Sequence, residues 1–427
     1  MKIRAITVGD KIPFLSEDKE LESVMEERLF KYRRLNEDLI DEFEKKELIV
    51  QTKRLCSQPL FSYADQHFYK DNLKTCLQKI GNQFKIIGKL IKRYQIDYFA
   101  CCAMLADTLE KFGMFEKLLL NEIPVYLQNF EFLFSSVNVA STDNGINMSA
   151  LKSTAKIIKA LSMDPLRNLN FCVSSNILPN LHVPFFPASY HSSDKPGFSL
   201  ALEMADEVNK ICKDAETITE IKQTLRDKFR QIYDTLVPIS ENIAERFEVE
   251  FKGIDFSPAP YPELDKSIGS AIENMGFQYF GSNGCTFGVS LIKDSIPNDL
   301  EKILGFSGFM QPVLEDYTIA RRLSENKFNL DTLLLYSCLC GTGLDCIPLP
   351  GKITVKELFY ILLDICVISL KFNKPLTARL MPIPGKNAGD PIEFDFEYFA
   401  TSKIIDYKPL KDDVMGFYER NNGFIKL

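Results

Sequence analysis

Residues 340–351, CGTGLDCIPLPG, and residues 382–390, PIPGKNAGD, are two loops punctuated by glycine and proline. What lies around them decides the fold class. Upstream, Asn329 and Asp331 open a short apolar helix, DTLLLYSCLC, which Gly341 can stop as a C-terminal glycine. Thr342, Gly343, Leu344 and Asp345 then read as a loop. Thr354 and Glu357 stand three apart ahead of a long apolar run, the spacing of a capping box, and predict a helix ending near Lys371. Leu376, Ala378 and Leu380 alternate with Thr377, Arg379 and Met381, which predicts a strand with Arg379 off the apolar face. Pro384, Gly385 and Gly389 frame Lys386 and Asp390 ahead of a last strand, IEFDFEYF.

The same alternation of strands and helices extends outward. Lys2 to Val8 is a first strand, and Ser16 to Lys46 is a charged helix. Helical spacing continues from Gln66 to Phe112, where YFACCAMLADTLEKF carries Cys101 and Cys102 as packing residues. Strands follow at Phe130–Ala140 and Leu169–Ser175, with a helix to Leu161 between them. Three prolines hold the segment before Gly197 out of helix, and a helix is expected from Gly197 to about Asp214. A further helix spans Thr217–Tyr233, and a strand Arg246–Phe256. Asp265 is the expected cap of the next helix, whose start clusters Ser257, Asp265 and Ser267. A later helix carries the acidic pair Glu315 and Asp316, of which at most one can face a pocket. This is the order of an α/β protein.

Composition narrows the function classes. The 427 residues carry a net charge of −7, which argues against a nucleic-acid binder with a basic face. Eleven cysteines, odd in number and irregular in spacing, read as reduced, buried thiols of a cytoplasmic protein, with no secretory signal ahead of them. Cys338, Cys340 and Cys346 lack the paired spacing of a zinc site, and three histidines make a histidine-rich metal site unexpected. The most apolar window, ELFYILLDICVISLKF, has Asp364 in its middle and is short for a membrane span, so no membrane role is expected.

The candidate chemistry gathers on the loops. Arg379 can bind a carboxylate or phosphate in bidentate fashion, with Lys386 as a second cation oriented by Asp390. Gly343, Gly385 and Gly389 would let a ligand approach the backbone. His191, in the loop before Gly197, and Asp345 are candidates for proton transfer, and Glu203 could reach back toward His191. Cys340 is a weaker nucleophile candidate, because the C-terminal end of a helix raises a thiol pKa. The bland reading makes Lys386 and Asp390 a surface ion pair. A second chemistry stays open: Asp345, Asp390 and Glu315 or Asp316 could hold a hard cation such as Mg²⁺ or Ca²⁺.

In the segments IRAITVG, FFPASYH with FSLALE, FGSNGC, GFSGFMQPVLED, CGTGLDCIPLPG and KPLTARLMPIPGKNAGD, the chain resembles the domain of unknown function 711 family, also called uncharacterised protein family 0210. Members resemble glycyl-radical enzymes in fold. The resemblance implies one large domain over residues 1–427, with a helix-rich portion at about 16–125. Its core would be a closed α/β barrel of about ten strands surrounded by helices. It transfers no reaction. The tail, YERNNGFIKL, has Gly423 without the flanking Arg-Val-x-Gly-Tyr pattern of a radical glycine. The expected function is a cytoplasmic enzyme, or an enzyme-derived protein, that binds a small anionic metabolite in the barrel. The alternative is a metabolite sensor or structural homo-oligomer that kept the barrel without the chemistry.

Overall fold

The structure is a computed structural model that describes residues 1–61, 72–410 and 416–427. Eleven strands give it its frame. They are β1 (Lys2–Gly9), β2 (Lys53–Cys56), β3 (Tyr98–Ala100), β4 (Met104–Leu105), β5 (Leu133–Ser141), β6 (Gly145–Asn147), β7 (Phe171–Ser175), β8 (Gly197–Glu203), β9 (Glu250–Ala259), β10 (Gly343–Pro350) and β11 (Leu376–Ile383). With the terminal strand Phe424–Ile425 they form one sheet, whose main path runs β10-β11-β7-β5-β3-β2-β1-β8-β9. The five central strands from β7 to β1 are mutually parallel. The β8–β9 and β10–β11 pairs are internally parallel and join that block through antiparallel contacts. Helices such as Asp18–Glu44, Ile218–Arg246 and Val355–Lys371 pack around it.

The regular ladder is open between β9 and β10, so the expected closed barrel is not formed by strand pairing. An irregular segment, residues 302–313, spans the opening. It makes one parallel bridge to β9 at Ile254 and Ile303, and one to β10 at Pro312 and Asp345.

Alternation along the strands separates two apolar layers. Ile6, Val8, Phe198, Leu200, Leu202, Ile254, Phe256, Leu344 and Leu349 face the large core under the helices. Smaller residues, Ala5, Cys172, Ala201 and Ala259, join Phe185 and Met310 in a second cluster on the other face. Burial on both faces is what a helix-covered, largely parallel sheet requires.

Several sequence expectations shift. Gly197–Glu203 is a strand rather than the start of a helix, because Phe198, Leu200 and Leu202 share one face at period two. The helix begins only at Ala205, and Glu203 therefore lies at a strand end instead of in a helical turn. Tyr98–Leu105 forms β3 and β4 rather than a helix. Thr342–Asp345 leads into β10 instead of forming a loop, since Gly343 and Leu344 pair with Thr377 and Ala378. Glu315 and Asp316 precede the helix Tyr317–Ser324, and Asp316 is its cap. Ser267, not Asp265, caps Ile268–Asn274. Of the expected last strand only Pro391–Ile392 is extended and paired, with Ser402–Lys403. Among the described residues no helix is long and apolar enough to cross a membrane.

The Thr354–Glu357 capping box forms as expected: the Glu357 backbone N–H donates to the Thr354 hydroxyl at 3.2 Å, and the Thr354 N–H to the Glu357 carboxylate at 2.8 Å. Thr354→Ala removes one half of the box. It is expected to lower unfolding stability by about 1 kcal/mol, read as a lower denaturant midpoint at unchanged slope.

Candidate functional site

The sheet curls far enough that residues from both ends of its path line one cavity of about 360 Å³. Its wall includes Arg4 from β1, Arg54 from β2, Tyr98 from β3, Phe134 from β5, Cys172 from β7, Ala259 from β9, Asp345 from β10 and Arg379 from β11. A volume of this size suits a small molecule.

Five charged side chains form a lattice on one side of this space. Arg379 donates to Asp345 in a very short contact and to Glu315 at 2.9 Å. Arg4 reaches Glu315 at 3.4 Å and Glu203 at 2.7 Å. Gln51 donates to Glu203 at 2.7 Å and accepts from Arg4 at 3.3 Å. The signs alternate along the chain Glu203, Arg4, Glu315, Arg379, Asp345. Burial alone would raise the Glu315 pKa, but the charges of Arg379 and Arg4 outweigh it and hold the carboxyl below its ordinary range.

Local irregularity puts these groups where they are. The β1–β8 register shifts between Ile3 and Ala5, around Arg4. The β8–β9 register shifts between Ala201 and Glu203, and the β10–β11 register between Leu344 and Ile347, around Asp345 and Cys346. Cys346 has φ 49°, the left-handed region that a non-glycine residue rarely adopts. Its thiol points to Glu315 at 3.1 Å. Bulges commonly re-aim side chains beside functional sites.

The glycine motifs have a packing role. The backbones of Gly308, from GFSGF, and Gly341, from CGTG, cross so closely that a Cβ on Gly308 would lie 2.7 Å from the Gly341 Cα. The Gly341 N–H donates to the Phe309 carbonyl at 2.7 Å. Asp255, fully buried, fastens the same loop by accepting from the Phe306 and Ser307 N–H groups at 2.7 and 3.0 Å. Phe306 and Met310 are thereby fixed in the cavity wall.

Of the sequence-predicted residues, the structure brings Asp345, Arg379 and Glu315 together. The guanidinium of Arg379 lies between the two carboxylates. Asp316 is elsewhere, fully buried, accepting from Ser267, Ile268 and Ile319. Asp390 accepts from the Asn387 N–H at 2.6 Å within an exposed turn that also holds Lys386, and neither lines the cavity. Gly385 and Gly389 have positive φ and open space around them, so they serve that turn. Gly343 has φ 91° and starts β10 against the Thr377 carbonyl. Cys340 is buried beneath the wall, its sulfur accepting from the Gly343 N–H at 3.2 Å, and burial raises its pKa. His191 lies in a separate small cavity with Cys56, His182 and Ser189. Its Nε2 is buried without a partner among the described residues. Burial also lowers its pKa. His67 is outside the described residues. Among the described residues no three His, Cys, Asp or Glu side chains are grouped to hold a metal ion.

Sequence reasoning missed Arg54. Its Nε donates to the Thr52 hydroxyl at 2.9 Å, and its guanidinium carbon sits 5.2 Å from the Phe186 ring centroid. Among the described residues no carboxylate comes within ion-pair distance of it. Burial, with the like charge of Arg4, pushes its pKa down to about 10, so it remains a cation at neutral pH. The signal in the sequence was slight: an arginine two residues before Cys56 in a four-residue strand.

Arg379→Met would leave Glu315 and Asp345 facing each other without their shared cation. The expected cost is about 3–5 kcal/mol, measured by chemical denaturation at pH 7. The pH dependence has a definite sign. Because the Glu315 pKa is lowered on folding, its stabilisation is present above the unfolded value of 4.5 and lost as pH falls through the folded one. Without Arg379 the folded pKa rises, and the variant should lose stability at a higher pH than the parent during acid titration.

A family described as "Uncharacterised ACR (DUF711)" matches residues 1–401. A UPF0210 protein of Pyrobaculum aerophilum is 31% identical over 265 residues, which are 60% of this chain and 58% of the relative. One of Halothermothrix orenii is 28% identical over 290 residues, 65% and 64% of the two chains. One of Methanococcus aeolicus is 27% identical over 363 residues, 81% and 77%. The match thus spans less than two thirds of the length of the first two relatives. With a family match running from its first residue to residue 401, the chain belongs to the DUF711 family of uncharacterised proteins.

Proposed function

We propose that this protein binds a small carboxylate in the cavity between β1 and β11, with Arg54 as its anchor. The observation that carries the reading is the guanidinium of Arg54. It is a cation inside a largely apolar cavity, with no carboxylate within ion-pair distance among the described residues. Arg4 and Arg379, by contrast, are already saturated by Glu203, Glu315 and Asp345. At the rim Arg167 is likewise paired, with Glu131 and with Asp164. Tyr98, Phe134 and Phe186 stack edge to face or tilted beside Arg54, at centroid distances of 5.3 and 5.4 Å. They offer an apolar surface to the body of the ligand. In this reading the Arg379 lattice holds the wall rather than the ligand, and the Lys386 turn and the His191 cavity lie outside the site.

The same residues favour binding over acid–base catalysis, which is the sensor alternative rather than the enzyme. A general base works best with a pKa near the operating pH. Here the carboxylates of the wall are tied to arginines, and burial raises the thiol pKa of Cys172 beyond reach of neutral pH. As part of this reading, residues 302–313 act as a degenerate tenth strand that completes a barrel. The single bridges to Ile254 and Asp345 support that view.

The test is a thermal-shift and calorimetric screen of the purified chain with benzoate, 3-phenylpropanoate, inorganic phosphate, Mg²⁺ and Ca²⁺. An aryl carboxylate should raise the melting temperature. Arg54→Met should weaken its binding about 10- to 100-fold while leaving the unliganded protein folded. Stabilisation by a divalent cation that Glu315→Gln abolishes, with no response to any carboxylate, would overturn the reading.

A further inference from the structure

The wall of the cavity changes character in a fixed order along the sheet. From β2 the path passes through β3, β5, β7 and β11 to β10. The cavity residues met in that order are Arg54, Tyr98, Phe134, Cys172, Thr377 with Arg379, and then Asp345, with Thr342 one residue before β10. A cation is followed by two aromatic rings, a thiol and finally a polar end of threonine hydroxyls beside the Arg379–Asp345 ion pair. The two polar ends are five strands apart.

The far end contains an unanswered group. Thr342 lines the cavity and is 2% exposed, and its hydroxyl finds no hydrogen-bond partner among the described residues. Its neighbour is fully used: the Thr342 carbonyl accepts both the Thr377 N–H at 2.8 Å and the Thr377 hydroxyl at 2.9 Å. No hydrogen bond among the described residues therefore holds the Thr342 hydroxyl, in a residue that lines the cavity. An enclosed hydroxyl without a partner forfeits the stabilisation that a satisfied one has. A ligand that supplies the partner recovers that energy.

We infer that the ligand is polar at both ends: an amphipathic carboxylate whose distal end carries a hydroxyl or carbonyl group, read by Thr342. The inference rests on the proposed role of Arg54, which holds the carboxylate. Thr342 is a specificity-determining residue in this arrangement. It selects among carboxylates of similar apolar body and does not create the affinity for the anion. Such discrimination is strong when a site presents an enclosed polar group, because an analogue without the matching group leaves it unpaired.

Matched probes separate the two claims. Calorimetry compares 3-phenylpropanoate with 3-(4-hydroxyphenyl)propanoate on the parent chain, Thr342→Val and Arg54→Met. The parent should bind the hydroxylated probe at least about tenfold more tightly. Thr342→Val, which keeps the shape and removes the hydroxyl, should abolish that preference while leaving 3-phenylpropanoate binding and the unliganded melting temperature unchanged or slightly raised. Arg54→Met should weaken both probes alike. Equal binding of the two probes to the parent, or a preference that survives in Thr342→Val, overturns the role of Thr342 and leaves that of Arg54 standing. Binding of neither probe, or binding that Arg54→Met does not change, overturns both.

Discussion

Two guanidinium groups and three carboxylates enclosed by one sheet impose the strictest constraint in this molecule. Each ion taken from water carries a desolvation penalty of several kcal/mol, and none of Arg4, Arg379, Glu203, Glu315 and Asp345 could stay charged there alone. Their alternation in sign lets every charge answer its neighbours. That alternation requires residues from β1, β8, β10, β11 and the 302–316 segment to meet. The register shifts around Arg4, Glu203 and Asp345 are the local means of doing so. The crossing of Gly308 over Gly341 and the fastening of Phe306 and Ser307 by Asp255 bring Glu315 within reach.

This constraint explains which parts of the structure were legible in the sequence. Helix boundaries with side-chain caps, such as Thr354 with Glu357 and Asn329 ahead of Leu330, follow from local chemistry and were readable. The period-two pattern of β11 correctly set Arg379 apart from its apolar neighbours. The strand at Gly197–Glu203 was obscured because both of its faces are buried, which weakens the contrast between apolar and polar positions. Register shifts are not local: nothing in Leu344-Asp345-Cys346 announces that its partner strand slips there. In the sequence Gly341 reads as a helix stop and Gly343 as a glycine that lets a ligand approach. That Gly341 meets Gly308 backbone to backbone emerges only from the three-dimensional pairing.

The candidate site shows the same division. The sequence drew attention to Asp345, Arg379 and Glu315, which do meet, because unusual density around glycines is visible along the chain. It also attached Lys386, Asp390 and His191 to them, although proximity of loops in sequence does not determine which face of a curled sheet they reach. Arg54 had no density to mark it. Its importance arises from what is missing around it, and a missing counter-charge is a property of space rather than of sequence.

The unanswered cation is best understood against the lattice beside it. Glu203, Glu315 and Asp345 are committed to two arginines whose positions are fixed by backbone pairing on both sides. Glu315 is shared by both arginines, and moving it toward Arg54 would leave Arg4 with Glu203 alone and Arg379 with Asp345 alone. The like charge of Arg4 adds to burial in destabilising the Arg54 cation, which keeps its charge nonetheless. The proposed carboxylate ligand would relieve both penalties at once, because its negative charge offsets that of Arg4 and its two oxygens match a guanidinium edge. A dianion would gain less, since its second charge would face Glu315 and Asp345 without a cation of its own. In the proposed reading the lattice tunes the site without touching the ligand, and the aromatic surface between Arg54 and Thr342 selects the rest of the molecule.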